Sequence, residues 1–219
     1  MKYSRLSAIL ALFVVTEPAI AAQQCMPNGV CTYFIPREKL PPITAQQTMV
    51  WCWAASAQTI FRYYGHDIQQ EEIVQAAFGT VEISTAPPDV IVKMLNRTYT
   101  DASGRTFKVS TPRYSDSYGI MPGNIQTQYV QPGFSNAEIF NELSAERPVF
   151  YADGPHAMVL IGGTAMQGMP ISGWVMDPAP MVSTFGLGPI TPPGTPAVGV
   201  RQLQPNEMHA FFAAKVVVQ

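Results

Sequence analysis

The chain has 219 residues, of which 47% are apolar and 13% charged, and its formal net charge is -2. This length suits one domain with a sizeable core, and the composition excludes a disordered chain. No cluster of Lys or Arg forms a basic face, which argues against nucleic acid and anionic membrane surfaces as partners.

The first 22 residues have the pattern of a secretory signal peptide. Lys2 and Arg5 supply a short positive region, residues 6–15 are almost wholly apolar, and small residues follow where a signal peptidase cleaves. The apolar run is too short to span a bilayer, and no second apolar run is long enough to do so. We therefore expect cleavage after residue 21 or 22 and an exported product, periplasmic or secreted, without stable membrane insertion. An uncleaved N-terminal anchor is the alternative.

Three cysteines follow this leader, at Cys25, Cys31 and Cys52. The first two flank a turn that contains Pro, Asn and Gly, and a disulfide across this small loop is the economical interpretation in an oxidising compartment. A metal site is the alternative, but the three histidines are scattered and offer no pair at ligand spacing. Cys52 is then the odd thiol, and reactivity is the leading reason for an exported protein to keep one.

The remaining pattern predicts helices first and strands afterwards. Residues 23–45 are expected to form an extended N-terminal segment, and residues 46–219 the domain itself. Helices are predicted over residues 50–64, 69–78 and 88–95, and a fourth after a capping box at Ser135 and Glu138. Strands are predicted at residues 106–110, near 125–130, and at 149–151, 156–162, 173–176 and 209–218. This order indicates an α+β domain with an antiparallel C-terminal sheet.

Cys52 lies in the first turn of the first predicted helix, within the block WCWAA at residues 51–55. Backbone N–H groups and the positive end of the helix dipole stabilise a thiolate at that position, and the thiolate is the form that attacks a carbonyl carbon. A structural cysteine would more naturally lie in the middle of the helix on its apolar face. Cys52 is therefore the candidate nucleophile.

A thiol nucleophile needs a base, and three histidines are available. His66 follows the end of the first predicted helix, where it would cap the helix or lie on the surface. His209 lies at the start of the last predicted strand. His156 opens the apolar run 157–161, which places it at the mouth of a buried strand and within reach of a cleft. His156 is the candidate base, with a structural histidine at a strand start as the alternative.

Asp177 is the candidate partner that orients His156. A hairpin that turns near residues 167–170 would bring the two residues side by side, so that the carboxylate fixes the tautomer of the imidazole. Asp153 and Asn206 are the rivals for this role.

An oxyanion also needs hydrogen-bond donors. Gln46 precedes Cys52 by six residues, and its side-chain amide can donate beside the backbone N–H of Cys52. The neighbouring Gln47 is the alternative donor.

With these residues the chain resembles papain-like cysteine peptidases, and most closely the short bacterial members that include secreted effector peptidases of plant pathogens. The resemblance rests on Gln46, on Cys52 at a helix start, on His156 opening an apolar strand and on Asp177 before a proline. The blocks WCWAA at residues 51–55 and YYG at the end of the same helix add to it.

This resemblance implies a papain-like fold and hydrolysis of peptide or isopeptide bonds through a thioester. His156 would assist Cys52 and protonate the leaving amine, Asp177 would orient His156, and Gln46 would hold the oxyanion. The substrate would be a protein or peptide, and the chemistry needs no metal or organic cofactor.

Two other interpretations remain open. A cell-wall amidase or acyltransferase would use the same chemistry, on a peptidoglycan peptide for example, and would place a second histidine such as His209 beside His156. A non-catalytic binding module would keep the fold without turnover, although such modules usually lose at least one residue of the site.

Overall fold

The computed structural model describes residues 23–116, 134–154, 156–179, 199–208 and 211–219. The expected signal peptide, the strand expected near residues 125–130 and His209 lie outside this part of the chain. Within it, no helix is both long enough and apolar enough to cross a membrane.

Helices form where the apolar periodicity predicts them. They are α1 (Cys52–Tyr63), α2 (Gln70–Phe78), α3 (Pro88–Met94) and α4 (Asn136–Ser144). The capping box before α4 is present, because the Ser135 hydroxyl accepts from the N–H of Glu138 while the Glu138 carboxylate accepts from the N–H of Ser135. The α2 helix ends at Gly79, whose positive φ of 85° favours glycine.

The strands of the described residues form two antiparallel sheets. In chain order they are β1 (Gln23–Cys25), β2 (Val30–Phe34), β3 (Thr98–Thr100), β4 (Thr106–Ser110), β5 (Tyr114–Asp116), β6 (Val149–Ala152), β7 (Ala157–Met166), β8 (Met169–Asp177), β9 (Gly199–Gln202), β10 (Phe212–Lys215) and β11 (Val217–Val218). The large sheet has the order β1-β2-β7-β6-β10-β5, with β8 beside β7 and β9 beside β8. The small sheet has the order β11-β4-β3.

The β7 strand is longer than predicted because two glycines continue it instead of ending it. A Cβ atom on Gly162 would lie 2.9 Å from the carbonyl oxygen of Tyr33, and one on Gly163 would lie 2.8 Å from that of Ser172. Glycine is therefore needed where β2 and β8 approach β7 most closely.

The single last strand predicted over residues 209–218 is wrong. The chain breaks at Val216 into β10, which pairs with β6 and β5, and β11, which pairs with β4 in the other sheet. Val216 is buried between Lys215 and Val217, and one charged residue within an otherwise apolar run does not by itself mark a break.

The core lies on both faces of the large sheet. Along β7, Val159 and Ile161 pack into the cluster that contains α1, whereas Met158 and Leu160 pack into the cluster that contains α4. This alternation is the period of two that a strand covered on both faces requires. The strand β7 therefore packs directly against α1, and this contact joins the helical half of the domain to the large sheet.

Candidate active site

Cys52 is the first residue of α1 and is buried. The two tryptophans beside it fix the helix start, because Trp51 donates its indole N–H to the carbonyl of Glu82 at 3.0 Å and Trp53 donates to that of Ser84 at 3.2 Å. No side chain caps α1. The positive end of the helix dipole therefore acts on the Cys52 thiol instead of on a capping oxygen.

Residues Cys52, His156 and Asp177 form a continuous chain of contacts. His156 Nε2 lies 2.7 Å from Asp177 Oδ1, and the Cys52 side chain hydrogen-bonds to the same imidazole. Because Nε2 is engaged by the carboxylate, Nδ1 is the ring nitrogen left to exchange a proton with the thiol. The β7–β8 hairpin creates this arrangement, since its turn at residues 167–168 pairs the two strands along their length.

The electrostatics favour charged forms of both His156 and Asp177. Burial opposes the imidazolium, but the hydrogen bonds to Asp177 and Cys52 outweigh it and raise the pKa of His156 to about 10. Burial also opposes the carboxylate, yet the hydrogen bonds from His156 and Arg201 hold the pKa of Asp177 below its ordinary value. At neutral pH the site therefore contains an imidazolium and a carboxylate in contact.

Asp177 is held at both oxygens. Oδ1 also accepts from the backbone N–H of Ala179 at 2.9 Å, and Oδ2 accepts from Arg201 Nε at 2.6 Å. Sequence reasoning missed Arg201, which lies 24 residues after Asp177 and comes beside it only through the pairing of β8 with β9. No local motif marks it.

Gln46 lies next to the segment that leaves Asp177. Its backbone N–H donates to the carbonyl of Pro178 at 2.9 Å, and its side-chain Nε2 donates to the carbonyl of Thr48 at 2.9 Å. The amide keeps a second N–H, since it carries two. Gln47 is exposed instead, and its backbone N–H donates to the Gln70 side chain.

The rivals of Asp177 do not reach the His156 side chain in the described part of the chain. Asp153 is bonded to His156 only through the backbone, and burial raises the pKa of its carboxyl group. Asn206 is exposed. His66 lies elsewhere, with its ring stacked on Phe107 at a centroid distance of 4.0 Å.

A cavity of about 420 Å³ opens at Cys52 between the helical half and the sheet. Its walls are mostly apolar: Val50, Cys52, Trp53, Thr85, Ala86, Pro87, Pro88, Ile91, Ala152, Gly154, Ala157, Phe211 and Phe212. A larger cavity of about 830 Å³ lies along β2, β7 and β8, and none of the three contacting residues of the site lines it. The smaller cavity is therefore the one that chemistry at Cys52 can use.

The other two cysteines form the expected disulfide between β1 and β2, Cys25–Cys31, so Cys52 retains its thiol. Over the ranges that the structure describes, no three His, Cys, Asp or Glu side chains are grouped so that they could hold a metal ion.

The model of the family described as the Peptidase_C39 like family matches residues 39–184. That range includes all four residues predicted for the site. No curated protein matches the chain. A solved structure that does match is a double glycine motif protease from an AMS/PCAT transporter in complex with the leader peptide. The two chains are 13% identical, the match covers 81% of this chain and 89% of that one, and the TM-score is 0.41.

Proposed function

Since this chain belongs to the Peptidase_C39 like family, we propose that Cys52 is its nucleophile, His156 its acid–base residue and Asp177 the residue that orients His156. The protein is a cysteine peptidase with a papain-like α+β fold. The observation that carries the proposal is the unbroken chain of hydrogen bonds from the Cys52 thiol through His156 to Asp177.

In the first half-reaction, the Cys52 thiolate attacks the carbonyl carbon and the π electrons move to the carbonyl oxygen. The resulting oxyanion collapses, the C–N bond breaks, and the amine leaves with a proton from His156, which leaves a thioester on Cys52. The raised pKa of His156, about 10, supports this role because the imidazole holds the proton at neutral pH.

The second half-reaction needs His156 as a base. The contact with Cys52 is one of the causes that raise the pKa of His156, and a thioester at Cys52 carries no charge to sustain it. The neutral imidazole then takes a proton from water, the hydroxide attacks the thioester, and the thiolate leaves with His156 protonated again. Each half-reaction therefore sets the protonation state that the next one requires.

Gln46 and the backbone N–H of Cys52 are the proposed donors to the oxyanion. Gln46 is held on two sides, by its backbone bond to Pro178 and by its side-chain bond to Thr48, and this preorganises the remaining amide N–H. Gln47, which is exposed, lacks this support.

The cavity at Cys52 supports a peptide with a large apolar side chain near the scissile bond. Its lining is mostly apolar and includes Val50, Ile91 and Phe212. The carbonyls of Glu82 and Ser84 are held by the two indoles, and these bonds anchor the segment that leads into the cavity wall at Thr85. A fixed apolar wall suits an extended peptide better than it suits a sugar or a nucleotide.

Export is also part of the proposal. A Cys25–Cys31 disulfide is stable in an oxidising compartment, and the leader of residues 1–22 has the pattern of a signal peptide. Both β1 and β2 come from residues 23–45, and β2 pairs with β7 in the large sheet, so we count this segment as part of the folded domain that the sequence predicted to begin at residue 46.

The test is alkylation of the mature protein by iodoacetamide at pH 6, together with hydrolysis of fluorescein-labelled casein. With Cys25 and Cys31 in a disulfide, Cys52 is the thiol that reacts, and we expect rapid labelling that His156→Ala slows strongly. Cys52→Ala should abolish hydrolysis and keep the fold. Labelling at equal rates in the wild type and the His156 variant would refute the proposed pair and favour a binding module.

The same hydrolysis assay tests the oxyanion donors. Gln46→Ala should lower kcat about a hundredfold, the usual cost of losing one such donor. Gln47→Ala is the matched control and should have little effect.

A further inference from the structure

Arg201 joins two acidic side chains at the back of the candidate site. Its Nε donates to Asp177 Oδ2 at 2.6 Å, while Nη1 and Nη2 donate to the two carboxylate oxygens of Glu207 at 2.6 and 2.8 Å. Nη2 also lies 3.1 Å from the sulfur of Met158. Both Arg201 and Glu207 follow the residues 39–184 that the family model matches.

These groups are shielded from water. The side chain of Arg201 is 17% exposed, that of Asp177 is 6% exposed and that of Glu207 is 14% exposed. An ion pair of an exposed arginine contributes little to stability. Arg201 differs, because its guanidinium group hydrogen-bonds to two carboxylates and is largely removed from water.

Glu207 is fixed in its turn. Its carboxylate accepts from the backbone N–H of Gln204 at 2.7 Å, as a capping box does, and its carbonyl accepts from the Tyr151 hydroxyl at 2.6 Å. The 3-10 turn at Pro205–Glu207 is thus tied to β6, and the fork of Arg201 is tied to that turn.

We propose that Arg201 is a positioning residue of this peptidase, which holds Asp177 with Oδ1 on His156, and that Glu207 fixes Arg201 for this task. The inference rests on the proposed roles of Cys52, His156 and Asp177. With Arg201 and Glu207 included, the site contains a row of alternating charges: the His156 imidazolium, the Asp177 carboxylate, the Arg201 guanidinium and the Glu207 carboxylate.

The geometry explains why one arginine is needed at this point. Nε binds the oxygen of Asp177 that His156 does not use, so the carboxylate cannot rotate away from the imidazole without breaking a second bond. A lysine would supply the charge, but its single ammonium cannot reproduce the planar fork that binds two carboxylates at once.

Removing Arg201 would also leave two shielded carboxylates facing each other. Burial and, to a smaller extent, the charge of Asp177 oppose ionisation of Glu207, but the bonds from Arg201 and Gln204 still hold the pKa of Glu207 below its ordinary value. Without the guanidinium, like-charge repulsion and burial would both raise the pKa of Asp177. The imidazolium of His156 would then lose its counter-charge at mildly acidic pH.

The titratable and charged groups around Asp177 and its partners come from α1, β6, the turn before β7, β9 and the 3-10 turn. They are Cys52, Tyr151, Asp153, His156, Arg201 and Glu207. Of these, Arg201 is the one that binds Asp177 at Oδ2, so its loss acts on the carboxylate directly.

The experiment measures the rate of alkylation of Cys52 by iodoacetamide between pH 4 and 9. In Arg201→Met the acid limb of the rate profile should move to higher pH by about one unit. Alkylation at pH 5 should therefore be about tenfold slower than in the wild type, whereas alkylation at pH 8 should change little. Arg201→Lys, which keeps the charge, should stay closer to the wild-type pH profile.

Arg147→Met is the matched control. Arg147 also binds a buried carboxylate with two nitrogens, that of Glu142 in α4, and the apolar residues of α4 pack on the opposite face of the sheet from Cys52. Its variant should lose stability and leave the pH profile in place. An equal shift of the pH profile in Arg201→Met and Arg147→Met would mean that Arg201 acts only on stability, which would overturn the proposal.

A second pair of variants keeps the test decisive where Arg201→Met does not fold. Glu207→Gln retains Arg201 on Asp177, and the double variant Arg201→Met/Glu207→Gln contains no unpaired second carboxylate. The profile of the double variant should lie at higher pH than that of Glu207→Gln. Coincident profiles, with His156→Ala still slowing the reaction, would refute the role of Arg201 alone. A wild-type rate that does not depend on His156 would refute the proposed pair instead.

Discussion

Two buried aspartates of this chain have the same kinds of partner and different surroundings. Asp101 Oδ2 lies 3.0 Å from His66 Nδ1 and 3.0 Å from Arg105 Nε. Asp177 binds His156 at 2.7 Å and Arg201 at 2.6 Å. A histidine, an aspartate and an arginine in line are therefore not sufficient to identify an active site.

The difference lies in what the histidine meets next. The ring of His66 stacks on Phe107, and Asp101 closes the turn between β3 and β4 by accepting from Ser103 and Arg105. Those bonds span at most four residues and hold a turn together.

At the other site, the imidazole of His156 also hydrogen-bonds to the side chain of Cys52, which lines a cavity. The partners come from α1, the residue before β7, β8 and β9, which only the complete fold brings together. A thiol in contact with the histidine, at the edge of a cavity, distinguishes the functional arrangement from the structural one.

The largest expected effect comes from exchanging the two histidines for alanine. His156→Ala should lower hydrolysis of labelled casein about a thousandfold, because the reaction loses its acid and its base. His66→Ala should leave the rate within a few-fold and lower Tm, because it removes a stacked ring and a bond to a buried carboxylate. Comparable losses of activity in His156→Ala and His66→Ala, with equal Tm values, would show that the two histidines do not differ in role.

A smaller effect is expected at the aspartates. Asp177→Asn should slow alkylation of Cys52 at pH 5 by about a hundredfold, because the imidazolium loses its counter-charge at every pH. Asp101→Asn should lower Tm and leave the alkylation rate unchanged, since it turns an amide N–H toward donors in the turn. A slowed rate in the Asp101 variant would mean that the turn between β3 and β4 is coupled to the site.

Sequence reasoning succeeds where the information is local and fails where it is not. The helix that begins at Cys52 follows from an apolar periodicity, and the contact between His156 and Asp177 follows from one hairpin turn. Arg201 could not be found in this way, because its place beside Asp177 depends on the pairing of β8 with β9. Likewise, the chain changes sheets at Val216 within a run that is apolar except for Lys215, and nothing in that run shows that the two halves belong to different sheets.

The smallest effect is in the pH dependence of stability, where the two aspartates have the same sign and the histidine beside Asp177 has the opposite one. The pKa of Asp101 is held below its ordinary value, first by the Ser103 hydroxyl and then by His66. A carboxyl group with a lowered folded-state pKa contributes stability above its unfolded value, about 3.9, and this contribution is lost as the pH falls.

His156 has the opposite sign. Its folded-state pKa, about 10, lies above the unfolded value of about 6.5. The contribution of His156 is therefore fully present below pH about 6.5 and is lost as the pH rises toward 10. Asp177 adds an acid-side contribution of its own, because its folded-state pKa is lowered.

The check is the free energy of unfolding in urea from pH 3 to 10 for the wild type, Asp101→Asn and Asp177→Asn. Asp101→Asn should flatten the curve only on its acid side. Asp177→Asn should flatten both sides, because it removes a carboxylate with a lowered pKa and the main hydrogen bond that raises the pKa of His156. An alkaline side that stays as steep in Asp177→Asn as in the wild type would mean that His156 does not hold its proton through this carboxylate.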